Sequence, residues 1–279
     1  VPEPPVLAPD RGDFKLSYEK TSHPDFRELQ GLFRQSHLLD ETLRALNETL
    51  ALPRDVKVAL RECGTADARY DASGGKDAKG PAISICYELV AALADLFAAD
   101  AKTDEEAQQA GVAVAGATLY VLFQETGRAL LDLYALPAPG KPEDAVDQLA
   151  TLVLLASGDQ GEQMALNGAQ AILGEEGKTK SRERLKALPY WRAHGLDEAR
   201  LYAVLCWVYG KNPLRFQDLV GDGTLPRERA ARCPEEYQRL EEAWQPVLAP
   251  YLKVSPRPPG PFGPPVPPDA PPPTPPGSN

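Results

Sequence analysis

The chain has 279 residues, room for one large domain or two small ones, and its 30 Lys and Arg against 40 Asp and Glu give a formal net charge of −10. With that balance and no Lys/Arg-rich run, a nucleic-acid backbone would be repelled rather than held, which excludes nucleic acid as a partner. No apolar stretch reaches the roughly 20 residues that a membrane helix needs, so no transmembrane segment is expected. Hydrophobic residues make up 43% of the chain, enough for a core, and the 29 prolines crowd at the two ends.

In chain order, residues 1–12 read as a Pro-rich linker, 13–253 as a single domain and 254–279 as a Pro-rich disordered tail that serves as a spacer or as a ligand for a partner. Residue 1 is Val and the only Met is Met164, which fits a secretory signal already removed; an arbitrary chain boundary gives the same start. Phe14–Tyr18 alternates like a strand. Apolar residues then recur at helical spacing from Asp25 to Leu50, through Phe26, Leu29, Phe33, Leu39, Leu43 and Leu46, until Pro53 intervenes. Val56, Val58 and Leu60 alternate as a strand leading into Cys63, and Ala82–Cys86 is a further short strand. Asp71–Gly80 between them is a Gly/Lys/Asp loop or hairpin tip. Helices follow at about 87–99, 104–135, 143–157, 160–174, 196–209 and 234–252. Strands first and helices after is an α+β pattern: a small N-terminal sheet followed by a mainly helical part.

The long helix carries the informative segment, Phe123-Gln124-Glu125-Thr126-Gly127-Arg128. Zinc peptidases place His, Glu and His at positions i, i+1 and i+4 of such a helix. The first and last then point at one metal ion from one face, while the Glu acts on the metal-bound water. Here Gln124 and Arg128 stand at the two ligand positions, and only Glu125 has the expected identity. Gln is a poor neutral donor, and a guanidinium cannot be deprotonated and repels a cation. The chain has three His, His23, His37 and His194, and no two share a helix at i, i+4 spacing with an adjacent Glu. An ordinary amphipathic helix whose Gln, Glu and Arg face water is the competing reading of this segment.

Beyond the motif, the chain resembles a secreted bacterial family of metallopeptidase-type proteins of unknown function, with a zincin-like domain. The matching stretches are Leu52-Pro53-Arg54-Asp55 with Glu62-Cys63-Gly64, Ile85-Cys86-Tyr87-Glu88-Leu89, Gly116 to Phe123, Glu143 to Ala150, Leu205 to Gly210 and Arg232 to Tyr237, which together cover most of residues 52–240. The resemblance implies a third zinc ligand on the helix after the turn Leu136–Pro142. Glu143 is its equivalent here, with Asp147 as the carboxylate that orients a metal-bound imidazole. In a tight helical hairpin Asp147 could instead be the residue nearer Arg128.

These readings lead to one expectation and two rivals. The expectation is a catalytically inactive relative of zinc metallopeptidases, a secreted or envelope protein that binds an unidentified protein or peptide. Glu125 is then a vestigial base, Arg128 replaces the metal by pairing with Glu143, Asp147 or Glu125, and no cofactor is expected. The first rival is an active peptidase with an atypical zinc site completed by a residue such as His194. The second is a structural protein acting through its Pro-rich ends. Four Cys fit two disulfides in an oxidising compartment, and four buried thiols are the alternative. Of the three possible connectivities, Cys63–Cys86 with Cys206–Cys233 follows sequence order. Trp191, Trp207 and Tyr209 read as core aromatics, Asp159–Glu162 as a turn and helix cap, and Gly221-Asp222-Gly223 lacks the repeated Asp/Asn spacing of a calcium loop. Lys178, Lys180, Arg182, Arg184 and Lys186 read as solvated surface.

Overall fold

A computed structural model describes residues 8–74, 80–99, 101–137, 141–156, 158–173, 189 and 198–253. The expectations for residues 1–7, the loop tip 75–79, the basic stretch 178–186, Trp191, His194 and the tail 254–279 lie outside the described residues. The fold is α+β, with a small sheet near the N-terminus and helices making up most of the rest.

Strands β1 (Phe14–Tyr18), β2 (Val56–Arg61), β3 (Ala68–Asp71) and β4 (Ala82–Cys86) form one sheet in the order β1-β2-β4-β3. β1 and β4 each pair with β2 in parallel, and β3 runs antiparallel to β4. The central strands are the most apolar: Val56, Val58, Leu60, Ile83 and Ile85 are all buried, as strands covered on both faces require. At β1, Asn47 accepts from the Phe14 N–H at 2.7 Å and donates to the Phe14 carbonyl at 3.0 Å.

Two differences from the sequence reading have physical causes. The periodic run from Asp25 to Leu50 is two helices, α1 (Pro24–Ser36) and α2 (Leu38–Thr49), separated by His37 at φ 53°. The apolar spacing runs through the break because Phe33 and Leu39, Leu43 and Leu46 enter the same core. These two helices also lie between β1 and β2, so the strands do not all precede the helices. Second, β3 is a strand beyond those the sequence predicts: Ala68-Arg69-Tyr70-Asp71 alternates over only four residues, and β4 is the one strand it pairs with among the described residues.

The helical part comprises α3 (Tyr87–Ala98), α4 (Asp104–Leu133), α5 (Pro142–Ala156), α6 (Gly158–Leu173), α7 (Glu198–Lys211) and α8 (Cys233–Leu248), with single turns at Asp218–Gly221 and Arg227–Ala230. The last helix stops at Leu248 rather than 252 and passes into a 3-10 turn over Ala249–Tyr251. α4 packs against β3, β4, α3, α5 and α6. The Cys63–Cys86 disulfide ties the loop after β2 to the junction of β4 and α3, and Cys206–Cys233 ties α7 to α8. A side chain at Gly210 would place a Cβ 2.3 Å from the Cys233 carbonyl oxygen, so glycine permits the approach that the second disulfide spans. Trp207 and Tyr209 pack on the core as expected.

Candidate functional site

Helix α4 begins with a reciprocal cap. The Thr103 hydroxyl accepts from the Glu106 N–H at 3.2 Å, and the Glu106 carboxylate accepts from the Thr103 N–H at 3.0 Å. From Gly116 to Gly127 every residue of the helix is buried, which makes α4 the central helix of the molecule. Gln124 and Glu125 are therefore interior groups, 3% and 0% exposed, and the picture of a polar face turned to water is excluded.

The neighbouring helix comes unusually close. A Cβ at Gly127 would lie 2.9 Å from the Val146 carbonyl oxygen, so only glycine lets α5 approach α4 at this level. Glu143 and Asp147 are spaced i, i+4 on α5 and share a face. Arg128 Nη1 donates to Glu125 Oε1 at 2.6 Å, and its Nη2 donates to Glu143 Oε2. The other Glu125 oxygen accepts the backbone N–H of Tyr70 in β3 at 2.7 Å. Gln124 Nε2 donates to Asp147 Oδ1 at 2.8 Å and lies 3.4 Å from the Tyr120 hydroxyl. The structure thus sets Glu143 against Arg128, and Asp147 against Gln124.

A second guanidinium completes the cluster. Arg200, in the first turn of α7, donates through Nε to Asp147 Oδ2 at 2.6 Å and through Nη2 to Oδ1 at 2.9 Å. The same Nη2 lies 3.5 Å from Glu143 Oε2. No sequence motif marks Arg200. The available signal was charge: three carboxylates grouped around one Arg call for a second cation. Leu201, Val204, Leu205 and Val208 place residue 200 at the border of the buried face of α7.

Burial sets the electrostatics. Desolvation pushes the Asp147 carboxyl above the usual carboxylate range, and the Arg200 and Gln124 hydrogen bonds only partly offset it. For Arg200, burial acts to lower the pKa, but the bond to Asp147 and its charge outweigh that and hold the guanidinium protonated. Tyr120 is raised well above the usual phenol value, chiefly by burial and then by the charge of Asp147, so it stays neutral.

A pH dependence follows for Asp147. Between about 3.9, its unfolded value, and its raised folded value, the folded state holds a proton that the unfolded state has released. Stability from this group is therefore lost as pH rises through that window and regained on acidification. Asp147→Asn removes the titration. Melting curves from pH 7 to 4 are expected to show wild type gaining relative to the variant toward the acid end, and parallel curves would contradict the assignment.

The donor set does not fit a zinc ion. At the two positions where the peptidase pattern needs neutral imidazoles stand an amide engaged with Asp147 and a guanidinium engaged with Glu125 and Glu143. Cys63, Cys86 and Glu88 are another group within metal-ligand reach, but both sulfurs are in the disulfide and Glu88 accepts from the N–H groups of Cys63 and Gly64. His23 and His37 are exposed, one stacked on Phe26 and one at the α1–α2 break. Glu162, in the first turns of α6, pairs with Lys211 at 3.0 Å and Arg215 at 3.2 Å. Asp222 Oδ1 accepts from the Thr224 N–H at 2.9 Å, as in an ordinary turn.

A central helix carrying a buried Glu is thus packed between a sheet and the helix that bears Glu143 and Asp147, with two guanidiniums of the chain against the carboxylates. Over residues 18–248 the chain matches the family described as "Putative metallopeptidase", a domain family of unknown function, and it belongs to that family. No curated protein and no solved structure matches the chain.

Proposed function

We propose that this chain is a catalytically inactive member of its metallopeptidase family that works by binding another protein or peptide outside the cytoplasm. The observation that carries the reading is the Arg128 guanidinium, set at the last position of the motif and ion-paired with both Glu125 and Glu143. A positive charge there opposes a divalent cation. Without a metal, nothing in the cluster brings a water pKa from about 15.7 toward 7. Glu125 is the residue a hydrolytic mechanism would use as base, yet its two oxygens accept from Arg128 and from the Tyr70 N–H. The two disulfides support an oxidising compartment, and no helix among the described residues is long and apolar enough to cross a membrane. A domain bounded at 13 and 253 belongs to the same reading; the family match lies within it, and Leu50 bridges to Leu252 near its end.

The test is metal content. Protein purified without a His-tag and dialysed against trace zinc is expected to carry well below one zinc per chain by mass spectrometry, and to leave casein intact. One tightly held zinc, with turnover abolished by a chelator and by Glu125→Gln, would overturn the reading.

A further inference from the structure

The three carboxylates of the cluster are not equivalent. Glu125 and Asp147 are 1% and 2% exposed at their side chains, and each has both oxygens held by inner donors: Arg128 and Tyr70 N–H for Glu125, Arg200 and Gln124 for Asp147. Glu143 is 31% exposed and is the second residue of α5. Arg128 and Arg200 both reach its carboxylate from the inner side, and their own side chains are 16% and 11% exposed.

Each guanidinium is also anchored apart from the Glu143 side chain, and Arg200 Nη2 donates in addition to the Glu143 backbone carbonyl at 3.4 Å. Glu125 fixes Arg128 through Nη1, and Asp147 fixes Arg200 through Nε and Nη2. If Glu143 swings toward solvent, the Arg128 guanidinium that donates to it and Arg200 Nη2, 3.5 Å from it, remain beside the place its carboxylate left. Planar guanidinium donors recognise carboxylates with directional, charge-assisted hydrogen bonds. A ligand carboxylate entering there would find its donors already ordered, which removes much of the usual entropic cost of binding.

We propose that the Arg128–Arg200 pair is a carboxylate-recognition site, that Glu143 is its internal occupant, and that a peptide carboxylate displaces Glu143 when a partner binds. This rests on the inactive-relative reading, since a metal at this place would exclude a carboxylate clamped by two guanidiniums. The carboxylate can come from an Asp or Glu side chain or from a peptide C-terminus, and the chemistry is the same for both.

The first experiment empties the slot. Glu143→Ala is titrated with sodium acetate and, at matched ionic strength, with sodium chloride, while its melting point is followed. Acetate is expected to raise the melting point of the variant and leave wild type unchanged, and Glu143→Ala with Arg200→Lys is expected to lose the response. A folded Glu143→Ala that treats acetate and chloride alike overturns the proposal.

The second experiment uses wild type and needs no variant to fold. Fluorescein-labelled tetrapeptides ending in Glu-amide, in Gln-amide and in Gln with a free carboxylate are compared by polarisation. A carboxylate peptide is expected to bind about tenfold or more tightly than the neutral amide, equivalent to about 1.4 kcal/mol. Preference for Glu-amide identifies a side-chain ligand, and preference for the free terminus identifies a C-terminal one. Equal binding of all three overturns the proposal. A metal-free protein with no carboxylate preference sinks this inference alone, whereas a bound zinc sinks the inactive-relative reading with it.

Discussion

Arg128→Ala is expected to lose about 3–5 kcal/mol of stability, because it strands buried carboxylates without their counter-charge. Glu125 is fully closed from solvent and would keep only the Tyr70 N–H among the bonds described above. Glu143 would lose Arg128 but keeps Arg200 nearby and can turn to water, so most of the loss belongs to Glu125. At about 2–4 °C per kcal/mol for a domain of this size, the midpoint should fall by roughly 6–20 °C, which differential scanning fluorimetry resolves easily. Pairing Glu125→Gln with Arg128→Met should recover part of the loss, since a matched neutral pair of similar volume avoids the stranded charge. The recovery is the coupling between the two residues, of order 0.5–3 kcal/mol. An unchanged midpoint for Arg128→Ala would show that the guanidinium adds nothing net to the fold.

The second large effect is a gain. Gln124→His together with Arg128→His restores imidazoles at i and i+4 of α4, on either side of Glu125, with Glu143 on the facing helix. The double variant is expected to bind about one zinc per chain where wild type holds well below that, and each single variant is expected to fall short because a zinc site needs at least three protein donors. Mass spectrometry of dialysed protein reads the stoichiometry, and a zinc-dependent rise in melting point reads binding independently of any activity. A folded double variant that takes up no zinc would show that α4 and α5 do not carry the spacing of the peptidase site.

Much of the frame was legible in the sequence. β1 and β2 were legible from alternation, β4 as a short apolar run buried at every position, and the six later helices from apolar spacing. The break at His37 left no such record: a single residue at positive φ breaks the backbone while Phe33 and Leu39 still meet the same core. β3 left only two apolar residues in alternation, Ala68 and Tyr70, too short a record to tell an edge strand from a turn. At the site, Gln124, Glu125 and Arg128 stood out because a helix fixes their mutual spacing locally. The choice between Glu143 and Asp147 as the neighbour of Arg128 depended on the α4–α5 crossing, and that crossing is set by Gly127 against Val146. Arg200 arrives from a helix more than fifty residues further on; charge balance called for a second cation, and the tertiary fold shows which one supplies it.

Glu125 has a structural task of its own. A sheet exposes unpaired backbone groups along its two outer strands, and these are where chains join edge to edge and aggregate. Here Asn47 of α2 takes the N–H and the carbonyl of Phe14 on β1, and Glu125 of α4 takes the N–H of Tyr70 on β3. Each outer strand thus has backbone groups already engaged by a helix, and a second copy cannot extend the ladder through them. Glu125 thereby also guards the sheet's margin, a task that does not depend on whether any bond is ever cut.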